Sequence, residues 1–262
     1  MSIHSKIRYL LQSIQGIVVA VILVTNATVS SAQDTKAEAA YEAAAGLVNL
    51  GLWEQAAIAY QEYFKKHPKH KLAGHAHYGL GLCYFNMKNY ASAAKELESA
   101  AASKGPDPVE ANLLLGQALM MKTPAMPKRA ERAFESGLKS MGLTKMGLLE
   151  GRLFNREWGR KSVTEWLGKA NGEGEGKGKA KKKQAADVFI GLLEATYLQG
   201  NWKSVIAKVD AFEGLVKGSI FEQRVRVLMG EAHAKSENYK EAADAYEAAA
   251  VLKGSDASEA LF

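Results

Sequence analysis

Apolar residues recur along most of this chain at the three- and four-residue spacing of a helix face, with polar residues between them. In one clear stretch Leu80, Gly81 and Tyr84 share a face, and after a short polar break Ala93, Leu97 and Ala100 share another. The break contains Asn89-Tyr90, so the pattern predicts two helices joined by a turn. Small residues, Gly81 in the first helix and Ala93 in the second, sit where two helices must approach closely. No run of alternating Val, Ile, Thr and aromatic residues is long enough to suggest a sheet. The expected fold is all-α, with residues 36–170 and 185–262 helical in antiparallel pairs. Gly81, Ala93, Gly116, Ala130, Gly230 and Ala242 are expected to be buried at close helix contacts.

The unit recurs. Gly51-Leu52-Trp53 forms a turn upstream, followed by Ala56, Tyr60 and Pro68, with Ala43 and Ala44 in the preceding helix. Leu115-Gly116 and Leu119, then Ala130 and Phe134, make a third unit whose turn around Pro124 and Pro127 is about two residues longer. Met229-Gly230, Asn238-Tyr239, Ala242, Tyr246 and Ala249 repeat the pattern near the C-terminus. A weaker unit spans Leu192 to Phe212, with Tyr197 and the turn Gly200-Asn201-Trp202, and a poor match lies between Leu148 and Ala170 around Trp158 and Trp166. This series resembles the tetratricopeptide repeat, with its Leu-Gly, Tyr, Ala, aromatic, Ala and Pro positions. The resemblance implies a right-handed α-solenoid of helix-turn-helix repeats whose first helices line a concave, partner-binding surface. Carried over position by position, that surface comprises Tyr41, Ala45, Val48, His75, Tyr78, Leu82, Phe85, Leu113, Gln117 and Met120. The set is largely apolar and aromatic, and several members double as candidates for the core between repeats. Tyr41 and Ala45 stand where some members of the family place Lys and Asn to grip a terminal carboxylate, so that clamp is not expected.

The first 32 residues read differently. Lys6 and Arg8 precede an apolar core from Ile17 to Val24, and Ser30 and Ala32 occupy the −3 and −1 positions of a plausible signal-peptidase site before Gln33. A spanning helix needs about 20 apolar residues, and Gln12, Ser13 and Gln15 interrupt this one. Residues 1–32 are therefore expected to be a signal peptide, the alternative being a membrane anchor through residues 9–24. The expected address is exported, periplasmic or in the cell envelope. The repeats then occupy 33–170, three good units and one poor, and 185–262, where the array stops without a polar capping helix.

Between these blocks, residues 171–184 read NGEGEGKGKAKKKQ. With no apolar side chain larger than Ala, this stretch is expected to be a disordered Gly/Lys-rich linker. It holds five Lys against two Glu, much of the chain's formal net charge of +6. Weak contact of this segment with anionic surfaces follows from its charge. Nucleic acid is not expected, because the positive charge does not accompany aromatics placed for stacking.

Candidate chemistry is sparse. His67, His70, His75 and His77 cluster in sequence, and imidazoles suit Zn, Cu or Ni. His75 and His77, two apart on a helix, point to different sides, and no further ligand completes a familiar spacing. No phosphate loop, nucleophile elbow or metalloprotease helix is present in the sequence. The lone Cys83 lies in a helix pattern beside Tyr84 and reads as a buried, inert thiol. The sequence thus points to a protein or peptide partner held by a non-catalytic scaffold or adaptor, with no cofactor or metal. The alternatives are a ligand- or metal-binding module using the four histidines, and a docking arm of a longer protein whose active part lies beyond Phe262.

Overall fold

The computed structural model describes residues 34–103, 105–143, 156–173 and 175–252. The signal or anchor segment 1–32 and the C-terminal stretch 253–262 lie outside the described residues. Among those described there are eleven α-helices and no strand. They are α1 (34–49), α2 (Trp53–Lys66), α3 (Ala73–Asn86), α4 (Tyr90–Ala102), α5 (Pro108–Met121), α6 (Pro127–Ser140), α7 (Arg156–Gly172), α8 (Glu175–Tyr197), α9 (Trp202–Phe212), α10 (Glu222–Lys235) and α11 (Tyr239–Val251). A 3-10 turn, Glu213–Leu215, follows α9.

Local chemistry sets the helix starts. Pro108 and Pro127 open α5 and α6, where a missing N–H costs nothing. The side chains of Asn89, Asp107 and Asn201 cap α4, α5 and α9 by accepting from the backbone N–H of Ser92, Val109 and Ser204.

The helices stack as an all-α solenoid of helix-turn-helix repeats. Within pairs, α3 packs on α4, α5 on α6, and α10 on α11; between pairs, α2 packs on α3, α4 on α5, and α9 on α10. The six small residues expected at helix contacts are all buried. Their partners explain why. A methyl on Gly81 would lie 2.7 Å from Leu97, on Gly116 2.5 Å from Phe134, and on Gly230 2.7 Å from Tyr246. Each glycine receives the large side chain of its own second helix.

A second set of glycines joins successive pairs. Gly79 of α3 takes the ring of Tyr60 from α2, and Gly191 of α8 takes Phe134 from α6 at 2.5 Å. Phe134 is fully buried between Gly116 of its own pair and Gly191 of the next. The third pair is thus followed in the stack by α8, and α6 packs directly on it. The weak unit around Leu192 to Phe212 is the fourth repeat, α8 with α9.

Two expectations are corrected. The poor match between Leu148 and Ala170 is not a helix pair in its described part, residues 156–170. That part is the single helix α7, lying against α8, α9 and the 3-10 turn. Trp166 Nε1 donates to the Met141 carbonyl at 2.9 Å, and Val163 packs near Gly214. The described residues of 171–184, a stretch expected to lack structure, instead form the end of α7 and the first turns of α8. Composition misled there because a glycine was doing a structural job: Gly178 is buried against the Ala170 carbonyl, where any side chain would collide. That close approach closes α7 and α8 into a hairpin with Lys177, Lys179, Lys181 and Lys183 on its outside.

Candidate functional site

The ten inner-face candidates lie at helical spacing along α1, α3 and α5. Nine are half-buried and Gln117 is exposed. Contacts link them from one pair to the next. The Tyr41 ring is 6.3 Å from His75 across α1 and α3. The Tyr78 hydroxyl donates to Glu110 Oε2 at 3.3 Å across α3 and α5. Burial, assisted by Glu110, pushes the Tyr78 phenol up to about 12, so it stays a donor at any physiological pH.

Some of the set are committed elsewhere. Tyr41 packs 6.1 Å from Tyr60 and 6.3 Å from Tyr63, rings of the first core. Phe85 meets Tyr90 edge-to-face at 5.4 Å, clasping the turn between α3 and α4. Tyr197 and Trp202 form the same clasp at 5.0 Å in the fourth pair. Val48, Leu113 and Met120 pack in part against the core, and with Ala45, Leu82 and Gln117 they make up the partly open surface.

The four histidines diverge. His70 Nδ1 is bonded to the Tyr63 hydroxyl at 2.9 Å, and His77 Nδ1 to Glu96 Oε2 at 2.7 Å. His67 packs 5.6 Å from the Tyr63 ring, while the His75 ring fills the space beside Gly105. Among the described residues no three His, Cys, Asp or Glu side chains are grouped to hold a metal ion. Cys83 is fully buried, and burial pushes its thiol up to about 11, away from reactivity.

With the geometry in place, the chain can be compared with known proteins. Residues 41–107 and 85–140 match the family model of the tetratricopeptide repeat. The stretch 41–140 is thus similar to a tetratricopeptide-repeat array. A search of the curated proteins finds no match. The matched repeats carry all ten inner-face candidates, and α8 to α11 continue their stack beyond the matched residues.

Two groups of residues escaped the sequence reading. The same face continues on α8 and α10. Glu194 pairs with Arg224 at 3.6 Å, and Tyr197 is hydrogen-bonded to Glu231, which raises its phenol. Asp187 is half-buried on α8, and burial raises its carboxyl against the opposing pull of Lys183. Taking Gly191 as the inter-repeat glycine, like Gly79, would have fixed this register. The other group is a polar network where α6, α8 and α9 meet. Lys208, with its side chain 7% exposed, donates to Glu131 Oε1 at 2.9 Å and to Ser204 Oγ at 2.8 Å. Thr196 and Gln199 also donate to Glu131, at 3.1 and 2.7 Å. Burial raises the Glu131 carboxyl, but these three donors outweigh it and hold it below its ordinary range. No spacing in the sequence announces a network drawn from three helices.

Proposed function

We propose that the protein is a non-catalytic interaction scaffold that holds a segment of another protein against the first-helix face of its repeats. The tetratricopeptide-like repeats of residues 41–140 support a protein-interaction role. The observation that carries the finer reading is the row Ala45, Val48, Leu82, Leu113 and Met120, half-buried side chains on three successive first helices. Each presents apolar area that a partner could cover at about 25 cal/mol per Å², and apolar anchors dominate such interfaces. The leader-like segment with Lys6, Arg8 and Ile17 to Val24 supports an exported address, in the cell envelope or outside the cytoplasm. No described helix is long and apolar enough to cross a membrane.

Site-specific photocrosslinking tests the reading. A crosslinker replacing Leu82 or Leu113 should capture the same protein from an envelope fraction, and one replacing Ser99 or Ser136 on second helices should not. Capture from the second-helix positions alone would move the binding surface to the opposite side.

A further inference from the structure

The α7–α8 hairpin concentrates the protein's positive charge. Residues 156–184 hold nine Lys and Arg against four Glu, whereas the whole chain has 34 against 28. The rest of the protein is therefore nearly neutral. Lys177, Lys179, Lys181 and Lys183 are exposed, and the burial of Gly178 against Ala170 fixes their helix in place. Lys181 reaches Glu173 at 2.6 Å, and Lys182 donates to Asn171 Oδ1. Lys177 and Lys179 make no ion pair among the described residues.

Lys177 sits in the first turn of α8, where backbone N–H groups are unpaired and the positive end of the helix dipole disfavours a cation. Gly176 and Gly178 lower helix propensity further. Lys65, Lys66 and Lys71, by contrast with Lys177 and Lys179, have acidic partners. Lys65 and Lys66 occupy the last turn of α2, where the dipole favours them, and pair with Glu62 at 2.6 and 4.0 Å. Lys71 pairs with Glu38 at 2.7 Å. Lys177 and Lys179, exposed and without an ion pair among the described residues, leave their charge for a role outside the fold.

We propose that this hairpin is a docking surface for an anionic lipid bilayer. The successive 100° steps of the helix place Lys177 and Lys181 on one flank of α8 and Lys179 and Lys183 on the other. Cations on both flanks of the helix suit a continuous, deformable anionic surface better than a shaped recess. The exposed cations in the first turns of α8 are Lys, compact and strongly hydrated, without the planar fork with which Arg reads phosphate geometry. Gly178, Ala180 and Lys182 separate them, with no large apolar side chain to insert, so the contact is peripheral and salt-sensitive. Trp166, half-buried and bonded to the Met141 carbonyl, is committed within the protein. Trp166 therefore offers these lysines no stacking platform of the kind single-stranded nucleic acid uses.

Flotation of the full chain with vesicles tests the proposal. Vesicles rich in phosphatidylglycerol should bind it at low salt, and purely phosphatidylcholine vesicles should not. Changing Lys177, Lys179, Lys181 and Lys183 together to Gln should lower the affinity by at least about 30-fold, the contribution of the two lysines on whichever flank faces the bilayer. Changing the same four to Arg should preserve binding. Changing Lys65, Lys66 and Lys69 to Gln should leave it unaltered. Melting curves establish that each variant is folded. Equal binding by the Gln variant, or equal binding to neutral vesicles, overturns the assignment. So does tighter binding to polyglutamate or DNA than to the anionic vesicles, which would identify an acidic protein or a nucleic acid as the occupant.

Discussion

Two joints in the stack use the same device in opposite surroundings. Between the first and second pairs, the Tyr60 ring enters the space left by Gly79. Between the third and fourth, Phe134 enters the space left by Gly191. The corresponding residues at the other joints, read by register, are Leu97 with Leu114 and Val209 with Leu228, aliphatic on both sides. A flat ring on one helix thus goes with a glycine on the next, and an aliphatic with an aliphatic. The first joint is wrapped in Tyr41, Tyr63, His70 and His75, whereas the later one is bordered by the Glu131–Lys208 network. At the later joint, moreover, α7 intervenes in sequence but not in the stack. The contrast shows that a ring fitted to a glycine selects the next helix even when chain order offers another.

The largest effect should come from emptying these joints. Phe134→Ala and Tyr60→Ala each remove a buried ring and should cost about 3–5 kcal/mol. Their consequences should differ in place. Trp53 is the only tryptophan in α1 to α6, while Trp158, Trp166 and Trp202 lie beyond. In urea denaturation, Phe134→Ala should separate the unfolding of α8–α11 from that of α1–α6, because stability in a solenoid is a sum of repeats and interfaces. Tyr60→Ala should lower the transition seen by Trp53, the other tryptophans being followed in a variant with Trp53→Phe. A single transition that moves equally for all probes in both variants would show that the joints do not divide the protein.

A smaller and pH-dependent effect belongs to the later joint. Glu135 is half-buried on α6, and burial pushes its carboxyl up to about 7, with Glu131 adding to the rise and Lys208 and Arg132 opposing it. A raised carboxyl destabilises the fold when ionised. Its penalty is absent below the unfolded value near 4.5 and grows as pH rises through 7. Glu131 has the opposite sign, since its depressed carboxyl contributes stability that is lost as pH falls through the acid range. Glu135→Gln should therefore raise stability by about 1–2 kcal/mol at pH 8, allowing for partial exposure. The gain should shrink toward zero near pH 5. Chemical denaturation of both proteins across that range checks it, and a gain independent of pH would assign the effect to packing.

The sequence shows the regular half of this picture well. Leu80-Gly81, Leu115-Gly116 and Met229-Gly230 placed three pairs, because the Gly receiving its own second helix follows a recognisable neighbour. The fourth pair was hard to see because Leu193 stands where those units have Gly, with Val209 where they have Leu or an aromatic. Large and small have been exchanged between partners, so a motif read one residue at a time fades while the packing remains. The hairpin was misread for a related reason. Gly178 looks like a flexible linker residue until the Ala170 carbonyl appears opposite it, and that contact comes from tertiary structure. The ten inner-face candidates followed from the same register, but Phe85's clasp on Tyr90 and Tyr41's place among the first-core rings depend on contacts that spacing alone does not fix.

The smallest expected effect lies in the turns within pairs, where the backbone is the same and the residues are not. The left-handed position is Gly51 at φ 71°, Lys88 at 59°, Gly200 at 70° and Glu237 at 63°. The next residue, at the helix cap, has ψ of 68° at Leu52, 69° at Asn89, 68° at Asn201 and 68° at Asn238. Four turns of one conformation thus carry glycine in two pairs and a side chain in two. A residue with a Cβ is strained there by roughly 1–2 kcal/mol, although glycine loses more chain entropy on folding. A methyl at Gly51 would meet nothing within 4 Å, and one at Gly200 only Trp202 at 3.7 Å. The outcome therefore isolates the backbone. Gly51→Ala and Gly200→Ala should each destabilise by about 1 kcal/mol, and Lys88→Gly and Glu237→Gly should each stabilise by about 0.5 kcal/mol. Denaturation midpoints for the four variants decide it. If Lys88→Gly lowers the midpoint, the entropy lost by glycine outweighs the strain it relieves.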